Sequence, residues 1–322
     1  MKANTILSIN DWAKIFSELY SKADFERTPE QMWIAVMAHT SQIGESIRRF
    51  AFEYLLKSAA HTFCWLCSFV NKCNVLDDDV FSISETLPGI VSLKYPCVCG
   101  HCQTTPCSCD PIRMDKEADK SAAYKKLFGL RKNILTSFEG HSIDQSKEVF
   151  YQIYGGMTHI QTLETIGFHF LEEVGEAAVC VRQLSQLRKI TEENITEIDL
   201  DFLKQLSNME GIVENFSKYA KKSEEIDYVS IEANMLKARL VNAKMGLIIE
   251  IGDSFSWFCA ILNKLDLIAH SIYNDPEKHK EFLKPFEQAL REEYFDALGN
   301  AICPSCKSNP CKCAFFNMPT KK

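Results

Sequence analysis

The chain is poor in basic charge. Its 36 Lys and Arg are outnumbered by 43 Asp and Glu, a net charge of −7. With no basic block, it lacks the electrostatic footprint of a duplex nucleic-acid binder. Glycine (13) and proline (10) are scarce for an all-β chain built on many tight turns. Uninterrupted apolar runs are missing too. The longest mainly apolar stretch, Met245 to Leu262, holds Glu250 and Asp253 near its middle, and both are costly in lipid. The first residues, MKANTILSINDWAKIF, contain no apolar core of a secretory signal. The expectation is a cytoplasmic protein with no membrane span. Apolar residues, by contrast, make up 46% of the chain and aromatics 11%, which excludes disorder as the main state. At roughly 150 residues per domain, 322 residues suggest about two domains.

Cysteine is plentiful, with 14 residues, nine of them in two short clusters, CVCGHCQTTPCSC and CPSCKSNPCKC. The clusters share one spacing, C-x2-C-x4-C-x-C: Cys99, Cys102, Cys107 and Cys109 in the first, Cys303, Cys306, Cys311 and Cys313 in the second. Four thiolates so close in sequence can close a tetrahedral Zn²⁺ site, because zinc accepts sulfur and needs only four ligands. The alternative is a disulfide knot of a secreted protein, but nothing marks secretion. A closed four-cysteine site is structural rather than catalytic. Cys97 lies outside the repeated spacing, as a spare or substitute ligand.

The matching clusters point to an internal repeat. SINDWAKIFSELY (Ser8 to Tyr20) aligns without gaps on SIDQSKEVFYQIY (Ser142 to Tyr154). QIGESIRR (Gln42 to Arg49) aligns on EVGEAAVC (Glu173 to Cys180), and AAHTFCWLCSFVNK (Ala59 to Lys72) on IGDSFSWFCAILNK (Ile251 to Lys264). A cysteine cluster ends each unit. The units are 1–109 and 142–322, joined by a charged, helical connector, 110–141. Twelve residues separate Glu45 from Ser58, whereas 73 separate the matching Glu176 and Glu250, so the second unit carries an insertion of 61 residues, about 188–235. Within it, Leu203, Leu206, Ile212 and Phe216 recur at helical spacing. Long helices are predicted over Thr158 to Leu187 and Ile231 to Leu265, and Gly89 to Lys94 reads as an isolated extended segment. The fold class is all-α, built from packed helical hairpins.

Five acids carry the chemistry. Glu172 and Glu176 share a helix face with Glu173 beside them, and Glu250 and Asp253 lie one turn apart. Both groups sit among apolar residues, where a carboxylate is costly unless paired or metal-bound. Carboxylates from two neighbouring helices form a hard oxygen cage suited to Mg²⁺ or Mn²⁺. The competing reading pairs these acids with lysines of the insertion.

Glu172-Glu173-x-x-Glu176 followed by Glu250-x-x-Asp253 resembles the EExxE…ExxD motif of the MazG-like, all-α nucleoside triphosphate pyrophosphohydrolases. The resemblance implies that the five acids bind Mg²⁺ ions that hold a triphosphate, and that water attacks a phosphorus to release a nucleoside monophosphate and pyrophosphate. It implies Glu173 as the group that orients or deprotonates the water. The long gap between the two halves of the motif departs from the family. The first unit departs further, with Ser41, Gln42, Glu45, Ser58 and His61 where the second has its five acids. The first unit is therefore expected to be catalytically degenerate. Because family members dimerise, the tandem units are expected to form that dimer within one chain, with homodimerisation of such pseudo-dimers or a larger assembly left open. Arg48 and Arg49 are candidates for phosphate contact, although a solvated helix end explains them as well. Trp65 and Trp257 suit core packing better than base stacking. His39, His61 and His169 read as core or rim histidines, and Gly155-Gly156 lacks the context of a phosphate loop. A non-catalytic nucleotide-sensing or assembly subunit, with the fold kept and the chemistry lost, is the alternative function.

Overall fold

The computed structural model describes residues 6–75, 80–109, 138–194, 228–272 and 284–313. The connector up to residue 137 and the middle of the insertion, 195–227, lie outside the described residues, so the helical expectations there stay as they were. The described residues form eight α-helices and no strand; a single bridge joins Phe295 to Ala301. The fold is all-α.

α1 (Ile9–Glu26) starts at a capping box. The Ser8 hydroxyl accepts from the Asp11 N–H at 3.1 Å, and the Asp11 carboxylate accepts from the Ser8 N–H at 2.9 Å. Such reciprocal bonds satisfy two of the four orphan donors of a helix start. α2 (Pro29–Arg48) begins with Thr28 as cap and proline in the first turn. α3 (Phe52–Val75) follows after a short break. Gly89 to Lys94, expected as extended, is instead part of a helix, α4 (Leu87–Lys94). The Thr86 hydroxyl accepts from the Gly89 N–H at 3.2 Å and Pro88 pre-sets the first turn, which outweighs the β-branched Ile90 and Val91.

The second set repeats this order. α5 (Ile143–Ile160) opens at a capping box of Ser142 with Gln145. The single helix expected over Thr158 to Leu187 is broken at Gln161 and Thr162. The Thr162 hydroxyl accepts from the Thr165 N–H at 3.2 Å and starts a new helix, α6 (Leu163–Asn194). α7 (Tyr228–Ile272) contains the predicted Ile231 to Leu265, and α8 (Phe286–Tyr294) precedes the second cysteine cluster.

Four helices form the centre: α2 packs on α3 and α6, and α6 packs on α7. At the α6–α7 crossing, a Cβ on Gly246 would lie 2.9 Å from the Cys180 sulfur, so glycine permits the approach. Part of α7, Ala238–Ile272, is long and apolar enough to cross a membrane, but 72% of its apolar window is buried inside the protein. It is a core helix by its surroundings.

α1 lies on α3 and α5 on α7, through matching contacts. The Asn71 amide donates to the Ala13 carbonyl at 2.8 Å, and the Asn263 amide to the Lys147 carbonyl at 2.9 Å. The Lys72 ammonium donates to the carbonyls of Asp24 and Phe25, and that of Lys264 to those of Thr158 and His159. These lysines occupy the carbonyl-rich ends of α1 and α5, where the helix dipole favours a cation.

The short helices cross over. α4 packs on α7, and α8 packs on α3. The cysteine clusters follow them: the Cys107 N–H donates to the Ile153 carbonyl on α5, and the Cys311 N–H to the Leu19 carbonyl on α1, both at 2.8 Å. Each set of helices is thus closed by the segment that ends the other.

Candidate metal centres and the acidic site

The two cysteine clusters have the same internal structure. In each, the four sulfurs lie within 4.8 Å of one another. Gln103 and Lys307 take positive φ, 60° and 54°, in the turn between the second and third cysteines. Across that turn the Cys99 N–H donates to the Thr104 carbonyl at 3.1 Å in one cluster and the Cys303 N–H to the Ser308 carbonyl at 3.0 Å in the other. The Ser108 N–H points at the Cys102 sulfur (3.4 Å) and the Lys312 N–H at the Cys306 sulfur (3.3 Å). Burial opposes ionisation of Cys102, but hydrogen bonds from Thr104 and Ser108 outweigh it and pull the thiol down to about 5. At Cys306, burial is outweighed by the backbone N–H groups of Lys312 and Ser308, and the thiol falls to about 6. Hydrogen bonds to sulfur that favour the thiolate are those a soft-metal ligand needs. All 14 cysteines are free of disulfides. Cys97 is exposed and its sulfur stands outside the four-sulfur group.

The acidic site lies where α6 meets α7. α6 supplies Glu173, and α7 supplies Glu250 and Asp253, one turn apart. Single carboxylate oxygens of the three lie within 4.8 Å of one another. Glu250 is only 7% exposed. Burial, then the charges of Asp253 and Glu250, push Glu173 up to about 9. Burial and Asp253 push Glu250 up to about 7. Three carboxylates crowded out of water cannot all ionise unless a cation joins them.

Of the five acids singled out in the sequence, the structure brings three together. Glu172 is exposed and faces His169, with Nδ1 to Oε2 at 3.3 Å. Glu176 is exposed on the next turn of α6, near enough for its charge to raise Glu250.

Two residues of this site were not singled out. Lys94 and Tyr95, at the end of α4, both bind the Asp253 carboxylate, Lys94 by an ion pair and Tyr95 through its hydroxyl. They come from the segment before the first cysteine cluster. A signal for them exists in the sequence: each cluster is preceded by a charged residue and a tyrosine, Lys94-Tyr95 in one unit and Glu293-Tyr294 in the other. Arg48 and Arg49, the phosphate candidates, are exposed and pair with Glu45 on their own helix.

The corresponding place in the first set holds no acidic triad. There the Tyr294 hydroxyl meets His61 Nδ1 at 3.1 Å, and Glu293 lies 3.1 Å from His61 Nε2. His39 stacks on His61 with ring centres 5.0 Å apart. Trp65 and Trp257 each rest one side on the core. The other side of Trp65 carries the Arg27 guanidinium at 4.6 Å, and that of Trp257 stacks on His169 at 4.5 Å.

Comparison with family models, with curated proteins and with solved structures finds no match to this chain.

Proposed function

We propose that the protein is a metal-dependent nucleotide pyrophosphohydrolase that cleaves a nucleoside triphosphate, or a related nucleotide, to monophosphate and pyrophosphate. The observation that carries the reading is the triad of Glu173, Glu250 and Asp253. Its oxygens converge from two helices, and two of its members are driven toward the protonated form by burial and by the neighbouring carboxylates, against the pull of Lys94. That donor set, all oxygen and crowded, fits Mg²⁺ or Mn²⁺. Glu172 and Glu176 flank it on α6 as outer acids. A divalent ion held there supplies neutralisation of phosphate charge and acidification of bound water. Glu173 takes the proton of the water whose oxygen attacks phosphorus, and the phosphoanhydride bond breaks to release pyrophosphate.

On this reading the fold is a tandem MazG-like repeat closed into a pseudo-dimer, with one active and one degenerate site. The matching contacts of Asn71 with Asn263 and of Lys72 with Lys264 support the repeat. The two cysteine clusters are structural Zn²⁺ sites, the chain is cytoplasmic, and its partner is a small nucleotide. The test is turnover on a panel of ribo- and deoxynucleoside triphosphates with Mg²⁺ or Mn²⁺, with products resolved by chromatography. Monophosphate plus pyrophosphate, lost on adding EDTA, is the expected result.

One observation favours a second reading. Lys94 and Tyr95 already give Asp253 partners of its own. A protein whose acids are satisfied in this way can bind a nucleotide without hydrolysing it, as a sensor or assembly subunit. Saturable nucleotide binding with no product would select this reading over the enzyme.

A further inference from the structure

Lys94 and Tyr95 reach the acidic site from an unusual direction. Only three residues separate Tyr95 from Cys99, and the first cysteine knuckle is bolted to α5, not to α1 of its own set. Four contacts fix it there. The Cys107 N–H donates to the Ile153 carbonyl at 2.8 Å, and the Tyr154 hydroxyl to the Cys99 sulfur at 3.4 Å. The Tyr95 ring stands edge-on to Phe150 and Tyr154, with centroids at 5.2 and 6.2 Å. Gly100 of the knuckle lies so close beneath Tyr95 that a Cβ there would come within 3.3 Å of the ring. The Lys94 stem then runs along α7 at Gly252, where a Cβ would meet it at 3.5 Å. The Lys94 side chain is 18% exposed, and its ammonium ends on Asp253, which is 14% exposed.

We propose that the first cysteine knuckle is a strap that holds Lys94 and Tyr95 in the acidic triad, with Lys94 as the resident counter-cation that an incoming divalent ion must displace from Asp253. The inference rests on the metal-centre reading above. The two residues are positioning residues. Tyr95 fixes the Asp253 carboxylate, and Lys94 compensates the triad until the metal arrives. The second knuckle is built alike, but it delivers Glu293 and Tyr294 to His61 and has no part in the acidic site. Two chemically similar knuckles therefore differ in what they control.

The test is Mn²⁺ binding to the full, zinc-loaded chain, followed by electron paramagnetic resonance, since a hard cation does not compete for the thiolates. Removing the resident cation by Lys94→Met is expected to tighten Mn²⁺ binding at least about fivefold. Opening the strap with Cys102→Ser plus Cys107→Ser is expected to tighten it similarly, and Cys306→Ser plus Cys311→Ser to leave it within about twofold. Because the strap acts through Lys94, adding Lys94→Met to the opened strap should give no further tightening, a non-additivity that general loosening would not produce. If the strap variant fails to fold, Lys94→Met still decides, since it leaves the knuckle whole. Unchanged or weaker binding in Lys94→Met overturns the proposal, as do equal shifts in the two knuckle variants or additive effects in the combination. A wild-type chain that takes up no Mn²⁺ overturns the metal-centre reading itself, and this proposal with it.

Discussion

Tyr95 and Tyr294 hold corresponding places at the ends of α4 and α8, yet one hydroxyl reaches Asp253 and the other reaches His61. The residue before each tyrosine differs with its partner. Lys94 faces the carboxylate of Asp253, and Glu293 faces the imidazole of His61. Both arrangements tie a short helix to a long helix of the other set, one by an ion pair and the other by a carboxylate–imidazole contact. One leaves two further carboxylates to compensate, and the other leaves none. Both ends thus keep a contact between the two sets, but only one gathers three carboxylates.

The two ends should respond to pH in opposite ways. Glu173 and Glu250 are raised above the ordinary carboxylate range, so the folded chain binds protons that the unfolded chain releases. Metal-free stability should fall as pH rises from about 5 through 7 and on toward 9. At the other end, the hydrogen bond to His61 holds Glu293 below its ordinary value, so its contribution is present above that value and is lost as pH falls through the folded one. Thermal unfolding across this range in EDTA, for wild type, Glu250→Gln and Glu293→Gln, separates the effects. Glu250→Gln should flatten the alkaline decline and Glu293→Gln the acid one. Adding Mg²⁺ should restore stability on the alkaline side in the wild type and in Glu293→Gln, which keep the triad, but not in Glu250→Gln.

Turnover, where the nucleotide panel shows it, should depend on the triad and not on the arginines. The double substitution Glu250→Gln, Asp253→Asn removes two charged oxygen donors while keeping shape, and activity should fall by at least about a thousandfold with zinc content and helicity intact. Arg48→Ala and Arg49→Ala remove only exposed pairs with Glu45, so activity and stability should change little, by less than about 0.5 kcal/mol in stability. Steady-state rates and thermal melts of the four proteins check this. Full activity in the double variant would remove the acids from the reaction.

Much of this architecture was legible because it rests on local rules. Ser8 and Ser142 announce helix starts by their own hydroxyls, and the cysteine spacing alone groups each set of four sulfurs. The acids could be placed on α6 and α7 from their spacing. Which of them meet could not, because Glu172 and Glu176 turn outward only as α6 is rotated by its packing on α2 and α7. Lys94 was illegible for a different reason. Its partner is 159 positions away in sequence, across a crossover that no local pattern records. The break at Thr162 and the helix at Leu87 were missed because one capping threonine decides each, against a periodicity that runs on or a β-branched pair that argues for extension.

The matching rungs between helices give a symmetric prediction. Asn71 and Asn263 each donate an amide to a carbonyl of the neighbouring helix, at 2.8 and 2.9 Å, and Asn263 is 7% exposed. Substituting either by Ala removes that inter-helix bond, at a cost of about 0.5–1.5 kcal/mol. Because the two rungs share no partner, the losses should add in the double variant. Urea unfolding of both single variants and the double checks the size and the additivity. A loss at one position only would mean that the two sets of helices are not held in the same way.

The thiols should show the two knuckles directly. In the reduced, metal-free chain, hydrogen bonds hold Cys102 and Cys306 below the ordinary thiol range, at about 5 and about 6, once burial is overcome. Burial raises Cys107, Cys109, Cys311 and Cys313 above it, and the core thiols Cys64, Cys67 and Cys259 as well. Since the thiolate is the reactive form, iodoacetamide at about pH 6.5 should label Cys102 and Cys306 well before these seven. Loading with Zn²⁺ should protect both, and elemental analysis should give about two zinc ions per chain. Cys102→Ser should lower that count by one, as should Cys306→Ser, each leaving the other knuckle protected. Peptide mapping of the labelled protein resolves the sites, and labelling of both cysteines that Zn²⁺ does not suppress would mean that the clusters are not zinc sites.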